Sequence, residues 1–125
     1  MSLINLTTQI NQELSEITEL PVYISHLPQQ GKLPLLVVEH SDVDKQKCSG
    51  KVVLSTLTTN VILFVQFPMD IFIYTDMIED YFNNLNMKKI YTSPTDYDSG
   101  IYYKEFRFES VVKTNSDGTY EVYHK

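Results

Sequence analysis

Two stretches of the chain repeat apolar residues at the three- and four-residue spacing of an amphipathic helix. The first stripe consists of Leu3, Leu6, Ile10, Leu14 and Ile17, and the second of Tyr74, Met77, Ile78, Tyr81, Phe82 and Leu85. Pro21 ends the first helix, because a proline disfavours helical geometry in the residue before it. We expect Asp70 to cap the second helix. The spacing predicts two helices that each bury one face.

Six further stretches have the β-branched and aromatic composition of strands. They are Val22 to Leu27, Leu33 to Glu39, Lys51 to Phe67, Ile90 to Thr92, Ile101 to Lys113 and Thr119 to Tyr123. The third is too long for one ordinary strand, so we expect a bend near Thr59 and Asn60. Its second half is apolar on both faces, which is typical of a central strand covered by a helix.

The fifth of these stretches alternates between apolar and charged residues at most of its positions. Tyr102, Phe106, Phe108 and Val112 fall on one face, and Glu105, Arg107, Glu109 and Lys113 fall on the other. Asn115 to Gly118 then predicts a hairpin turn, because Asp-Gly suits two residues at positive φ. His40 to Gly50 is polar and predicts a loop or hairpin tip, and Ser93 to Gly100 predicts a polar turn region.

The order of these elements predicts one α+β domain over residues 1–125, with the N-terminal helix and the second helix packed on a mostly antiparallel β-sheet. The longest apolar run, Val61 to Phe67, is far shorter than the roughly 20 residues that span a bilayer, so we expect no membrane partner. A single cysteine, Cys48, cannot form an internal disulfide, and this fits a reducing cytosol or a virion assembled there.

The charge of the chain bears on whether it binds nucleic acid. The net charge is −6, and Arg107 is the single arginine. Because phosphate and base-edge recognition depends on arginine and on basic patches, we expect no stable nucleic-acid binding.

Candidate chemistry is sparse. Asp42 with Asp44, and Asp96 with Asp98, are pairs that share a face in an extended segment and offer oxygen ligands to a hard cation. Further ligands near the first pair are limited to Glu39 and His40, and loop carboxylates in water are the commoner role. The histidines, His26, His40 and His124, are scattered, and no glycine-rich phosphate loop occurs. We therefore expect no catalytic residue, no bound metal and no cofactor.

The order of the elements resembles the tail-terminator, or tail-completion, proteins of long-tailed bacteriophages. The resemblance covers nearly the whole chain. It consists of a helix that ends before Leu20-Pro21-Val22-Tyr23, the proline-led strand Leu33 to Glu39, a long polar segment, the strand and helix from Val61 to Leu85, and the aromatic strand Tyr102 to Val112. The hairpin from Asn115 to Tyr123 departs from the family's pattern.

The resemblance implies a hexameric ring that caps the tail tube in the virion neck and forms the surface to which the head docks. It implies three partners, namely other copies of the chain, the tail-tube protein and a head connector protein, with assembly in the bacterial cytoplasm. Six copies would carry about −36, which repels passing DNA. The candidate contact residues are His40, Asp42, Asp44, Lys45 and Lys47 in the first polar segment, Asp96 and Asp98 in the second, and Tyr102 and Tyr103.

Other functions agree with the same pattern. One is a head-side connector protein, and another is a small cytosolic α+β binding module that acts as a monomer or dimer. A third is an enzyme, for which metal-dependent hydrolysis through Asp42, Asp44 and His40 is the least implausible chemistry. A measured mass in solution and a calorimetric titration with divalent cations separate these functions from a ring protein.

Overall fold

The structure, a computed structural model, describes residues 3–25, 32–48, 52–114 and 120–122. These residues form two helices and seven strands. In chain order they are α1 (Leu3–Thr18), β1 (Val22–Ile24), β2 (Leu35–Cys48), β3 (Val52–Val65), α2 (Pro68–Asn84), β4 (Lys88–Thr92), β5 (Asp96–Asp98), β6 (Ile101–Thr114) and β7 (Tyr120–Val122). The predicted α+β class is confirmed.

The described strands belong to one sheet, in the order β1-β2-β3-β6-β4. The long strand β3 pairs antiparallel with β2 on one side and with β6 on the other, and β1 pairs with β2 in parallel. The outer side of β6 is shared by three short antiparallel strands. In turn along β6, β5 pairs with residues 101–103, β4 with residues 106–109 and β7 with residues 112–114. The sheet is therefore mostly antiparallel, as predicted.

Both helices pack on one face of this sheet and form a single core cluster with it. The helical contribution comes from Leu6, Ile10, Leu14, Ile71, Ile78 and Phe82, which are all buried. Phe82 stacks on Phe108 with ring centroids 4.1 Å apart, and Phe106 lies next to Phe108 at 6.4 Å. The stripes predicted for the two helices and the alternation predicted for β6 thus face the same interior. Among the described side chains of the first stripe, Ile17 differs in that it is half exposed.

A partly buried hydrogen bond joins the two helices. The hydroxyl of Tyr81 in α2 donates to Oε1 of Glu13 in α1 at 2.7 Å. Gln9 donates to the other oxygen of the same carboxylate at 3.4 Å. Burial and the contact with Glu13 together raise the pKa of Tyr81 far above its usual range. The phenol is therefore a permanent donor in this contact.

The segment from His40 to Gly50 differs most from expectation. Instead of forming a loop, it continues β2 as far as Cys48, paired with β3 throughout, with one register shift between Asp44 and Gln46. The prediction of a loop over the whole segment was wrong, because polar residues on a strand at the margin of a sheet give the same sequence pattern as a solvated loop. The alternative prediction was a hairpin tip; β2 and β3 are antiparallel, but Ser49 and Gly50, which lie between them, are outside the described residues.

Three smaller expectations also need correction. The central strand β3 runs unbroken through Thr59 and Asn60, where a bend was expected, because ladders on both sides hold it extended. Helix α2 begins at Pro68, with Phe67 as its N-cap residue, so Asp70 lies in the first turn instead of capping. Within the expected turn from Ser93 to Gly100, residues 96–98 form β5.

Several predicted features lie outside the described residues. His26, His124 and the turn from Asn115 to Gly118 are among them. The strand expected after that turn is confirmed over Tyr120–Val122, and the short strand expected at Ile90 to Thr92 is confirmed as part of β4.

We predict that Tyr81→Phe lowers the free energy of unfolding by about 1–2 kcal/mol, because it removes the shorter of the two hydrogen bonds to the half-buried Glu13 carboxylate. Tyr97→Phe is the matched control, since the Tyr97 side chain is 61% exposed. Urea denaturation at pH 7 measures both. Equal effects of the two substitutions would show that the bond to Glu13 does not stabilise the helix pair.

Candidate functional site

The outer margin of β2 is the first candidate surface. Strand β1 covers this margin only opposite Leu36 to Val38, where Leu36 N–H donates to Pro21 and Ser25 N–H donates to Val38. Beyond Val38, no described segment pairs with β2 on that side, as far as its end at Cys48. Backbone groups alternate in direction along a strand. The N–H and C=O of His40 and Asp42 therefore point away from β3, toward this margin.

His40 marks the boundary between the core and this margin. Its Nε2 lies 2.9 Å from Oδ1 of Asn11 in α1, and its Nδ1 lies 2.8 Å from the hydroxyl of Thr59 in β3. Because an amide oxygen only accepts, Nε2 carries the proton and Nδ1 accepts from Thr59. Burial lowers the pKa of His40 from 6.5 to about 4. The predicted contact residue His40 is thus neutral, and it connects α1 to the sheet through two hydrogen bonds.

The other predicted contact residues of the first polar segment lie along β2. Asp42 is exposed on the strand, directly beyond His40. Asp44, Lys45 and Lys47 follow in the same strand, and their side chains lie outside what the structure describes. The structure thus places these positions on one strand margin, with the acidic positions first, Lys45 at the register shift and Lys47 beyond it.

The second predicted group lies on the opposite margin. Asp96 and Asp98 are exposed in β5, and Lys88 and Lys89 are exposed in the adjoining strand β4. Ser93 links the two strands to β6, because its N–H donates to the Glu105 carbonyl at 2.9 Å and its hydroxyl accepts from the Glu105 N–H at 2.9 Å. The sequence predicted the aspartates but missed the lysines, since only the strand order shows that they share a margin.

Tyr102 and Tyr103 point to opposite faces of β6. Tyr102 packs against the core, and its ring centroid lies 4.7 Å from that of Tyr97. Tyr103 faces away from the helices and lies 5.9 Å from Phe64. Both side chains are half-buried, so the two residues do not form one contact surface.

The sheet face away from the helices holds an open polar depression with a volume of about 410 Å³. Its lining residues are Glu39, Ser41, Thr58, Asn60, Ile90 and Arg107. Arg107 lies below the Tyr91 ring at 5.3 Å and 3.4 Å from a Glu105 oxygen. With glutamates beside the single arginine, this depression does not present the concentrated positive charge that a phosphate site needs.

An apolar patch at the start of α2 was not expected from the sequence. We call Phe67, Met69, Phe72 and Ile73 the α2 patch; each side chain is more than half exposed. Met69, Phe72 and Ile73 follow the i, i+3, i+4 spacing, so the sequence contains the signal. It was hidden by the stronger stripe on the buried face of the same helix. Exposed clusters of this kind mark contact surfaces more often than single exposed residues do.

Within the described part of the chain, no three carboxylate, histidine or cysteine side chains converge on a point that suits a metal ion. Asp42 and Asp44 are two residues apart on β2, which is the spacing expected for a pair on one face of a strand. Among the described residues, no third ligand joins them. Among the described helices, none is long and apolar enough to span a membrane.

Comparison with known proteins adds no relative. No protein-family model matches the sequence, and no curated protein matches it. The geometry of the two sheet margins and of the α2 patch therefore carries the functional argument.

We predict that His40 makes stability depend on pH between about 6.5 and 4. In this range the unfolded chain binds a proton at His40 that the folded chain does not bind, so stability falls as the pH falls. Because the ring is partly solvated, we expect a loss of about 1–2 kcal/mol, below the roughly 3 kcal/mol of the full shift.

The control for this prediction is His40→Gln, which keeps a polar side chain but cannot titrate. His26 and His124 are common to both proteins and cancel in the comparison. Urea denaturation at several pH values measures the slope. A parallel pH dependence in the two proteins would contradict the buried, neutral state of His40.

We predict that Phe72→Ala changes the free energy of unfolding by less than about 0.5 kcal/mol, because the ring is 68% exposed. Phe82→Ala, in the same helix, should cost about 3–5 kcal/mol, because it opens a cavity beside Phe108. Urea denaturation at low protein concentration measures both. A large loss from Phe72→Ala would contradict the exposure of the α2 patch.

Proposed function

We propose that this chain is a tail-terminator, or tail-completion, protein of a long-tailed bacteriophage. It forms a ring on the finished tail tube, stops its polymerisation and offers the surface to which the head docks. The observation that carries the proposal is the margin of β2, which no described segment covers from His40 to Cys48. A margin of this kind adds a strand from a partner through backbone hydrogen bonds.

The rest of the molecule supports a role in docking over one in chemistry. The helices occupy one sheet face, and their buried residues are apolar except for structural contacts such as Tyr81 with Glu13. His40 is held at both ring nitrogens by structural partners, which leaves it no free nitrogen for proton transfer. We therefore propose a structural protein and not an enzyme.

The proposed partners are further copies of the chain, the tail-tube protein and a head connector protein. The proposed location is the neck of the virion, after assembly in the bacterial cytoplasm. The net charge of −6 supports this arrangement, because a ring of acidic subunits repels the DNA that passes through it.

A small binding module, or a head-side connector, is the second candidate. The α2 patch favours it, because four large apolar side chains on one short segment offer a partner surface that needs no ring. A stable monomer that binds neither its own copies nor tail tubes would favour this second candidate.

We predict that Asp42→Pro abolishes self-association and tube capping while the protein stays folded. Proline removes the Asp42 N–H, which points toward the free margin, so no hydrogen bond to β3 is lost. Ser41→Pro should instead destabilise the protein by about 3 kcal/mol or more, because the Ser41 N–H points toward β3. Asp42→Asn keeps the N–H and removes the charge, so it separates the two effects. Sedimentation velocity and urea denaturation measure the outcomes.

A genetic experiment tests the function itself. Inactivation of the gene in the phage that carries it should give filled heads and unjoined tails of uncontrolled length in electron micrographs. Wild-type protein supplied in the host should restore joined virions, and the Asp42→Pro protein should not. Normal virions without the gene would reject the proposed function.

A further inference from the structure

The outward side of α2 changes in character along the helix. Residues of an α-helix advance by about 100° each, so the positions that lie opposite the buried residues Ile78 and Phe82 can be read from the sequence. They are Met69, Phe72, Ile73, Asp76 and Asp80, and the structure shows all five side chains exposed. This face of the helix therefore has an apolar half near the N-terminus and an acidic half after it.

The face has the length and spacing of a surface that binds a helix. At a rise of about 1.5 Å per residue, it extends roughly 17 Å from Met69 to Asp80. Its members are three or four residues apart, and side chains at this spacing form the ridges that pack into the grooves of a second helix. Phe67, which precedes the first turn and is also exposed, lengthens the apolar half. A partner helix of about three turns can therefore lie along the whole face.

The acidic half has no positive partner among the residues that the structure describes. Helix α2 contains no lysine or arginine. Glu79, at the side of the face, binds Lys89 of β4, but no described residue donates a hydrogen bond or an ion pair to Asp76 or Asp80. Asp80 lies about one turn from the end of α2 at Asn84, and the C-terminal end of a helix carries partial negative charge. Positive charge brought to this half is thus favoured by the carboxylates and by the helix dipole.

We propose that the outward side of α2 binds an amphipathic helix of a partner protein. The partner helix places apolar side chains on the α2 patch and lysine or arginine side chains beside Asp76 and Asp80. Burial of the apolar anchors supplies most of the affinity, and the charges fix the direction in which the partner lies. This inference goes beyond the tail-terminator role, because it uses neither the β2 margin nor a ring of copies. Each can therefore fail without the other.

A second copy of the chain fits this face less well. Two α2 faces packed antiparallel over their full length would set the apolar half of each against the acidic half of the other. Packed in parallel, they would bring the carboxylates of both copies together. Overlap of the two apolar halves alone offers on the order of 500 Å² per copy, below the roughly 800 Å² per partner of a stable interface.

A membrane surface also fits this face less well. Helices that lie in a lipid interface carry lysine and arginine on their polar side, where they meet anionic headgroups. The polar half of this face carries Asp76 and Asp80 instead, and the net charge of the chain is −6. The charges that repel an anionic surface attract a basic helix. A basic amphipathic helix is therefore the occupant that matches both halves.

Binding of designed peptides tests the inference. The probe is a peptide of about 18 residues, long enough to be helical, with leucine on one face in its first half and lysine on the same face in its second half. A second peptide has glutamate in place of lysine, and a third has the residues of the first in scrambled order. Isothermal titration calorimetry at about 0.15 M salt, which screens long-range attraction, measures the dissociation constants.

Variants of the full chain separate the two halves of the face. Phe72→Ala removes an apolar anchor, and Asp76→Lys combined with Asp80→Lys reverses the acidic half. The matched control combines Glu16→Lys with Glu39→Lys, which changes the net charge equally at exposed positions outside this face. Circular dichroism and urea denaturation verify that each variant is folded.

We expect the wild-type protein to bind the leucine–lysine peptide with a dissociation constant of about 10–100 μM, and the other two peptides at least about tenfold more weakly. Phe72→Ala should weaken binding of the leucine–lysine peptide by about tenfold or more. The variant with both aspartates reversed should lose the same peptide to a similar extent and should prefer the leucine–glutamate peptide. The control pair, and Asp42→Pro at the β2 margin, should stay within about threefold of the wild type.

Four results would overturn the inference. A wild-type protein that does not bind the leucine–lysine peptide up to about 1 mM would exclude the site. Equal losses in the control pair and the aspartate pair, or equal binding of the scrambled peptide, would show general charge attraction only. Self-association in sedimentation velocity that Phe72→Ala abolishes would assign the face to a second copy. Binding to vesicles of phosphatidylcholine and phosphatidylserine that Phe72→Ala abolishes would assign it to a membrane.

Discussion

Strand β3 and its two long ladders are the constraint on which the rest of the structure depends. It pairs with β2 and β6 along nearly its whole length, and its inward residues Leu57, Val61, Leu63 and Val65 are buried beneath the helices. Because β3 is paired with a long strand on both sides, the irregular parts of the sheet lie at its two margins. One side ends in the partly covered margin of β2, and the other in three short strands that divide the outer side of β6.

The sequence predicted those parts of the fold that are encoded by local spacing. The stripe of α1 and the alternation of Phe106 and Phe108 on β6 are periodic over several turns or residues, so a one-sided apolar environment determines them directly. Asp70 was misassigned as a cap because Pro68 already begins the helix, at a position where its missing N–H costs nothing.

The polar half of β2 could not be recognised in the same way. From His40 onward no described strand pairs with the outer side of β2, and the β-branched residues opposite it are in β3, its partner. Strand formation there is a property of the pair and is invisible in β2 alone. Asp42 and Lys88 lie on opposite margins of the sheet, and that placement depends on the order of four strands, so it could not be found from the sequence.

The charges on the two margins have a double consequence. An open strand margin is a hazard, because any extended segment can pair with it, and charged residues on the margin reduce indiscriminate pairing. Asp42 on the β2 margin and Lys88 on the β4 margin are exposed charges of this kind. When a partner strand pairs with the β2 margin under the proposed function, Asp42 disfavours every register that brings another acidic residue opposite it. Their contribution is to specificity more than to affinity, because exposed ion pairs add little stability. A contact made of a few backbone hydrogen bonds and such pairs is weak by itself, which agrees with a subunit that assembles where a tube end holds several copies together.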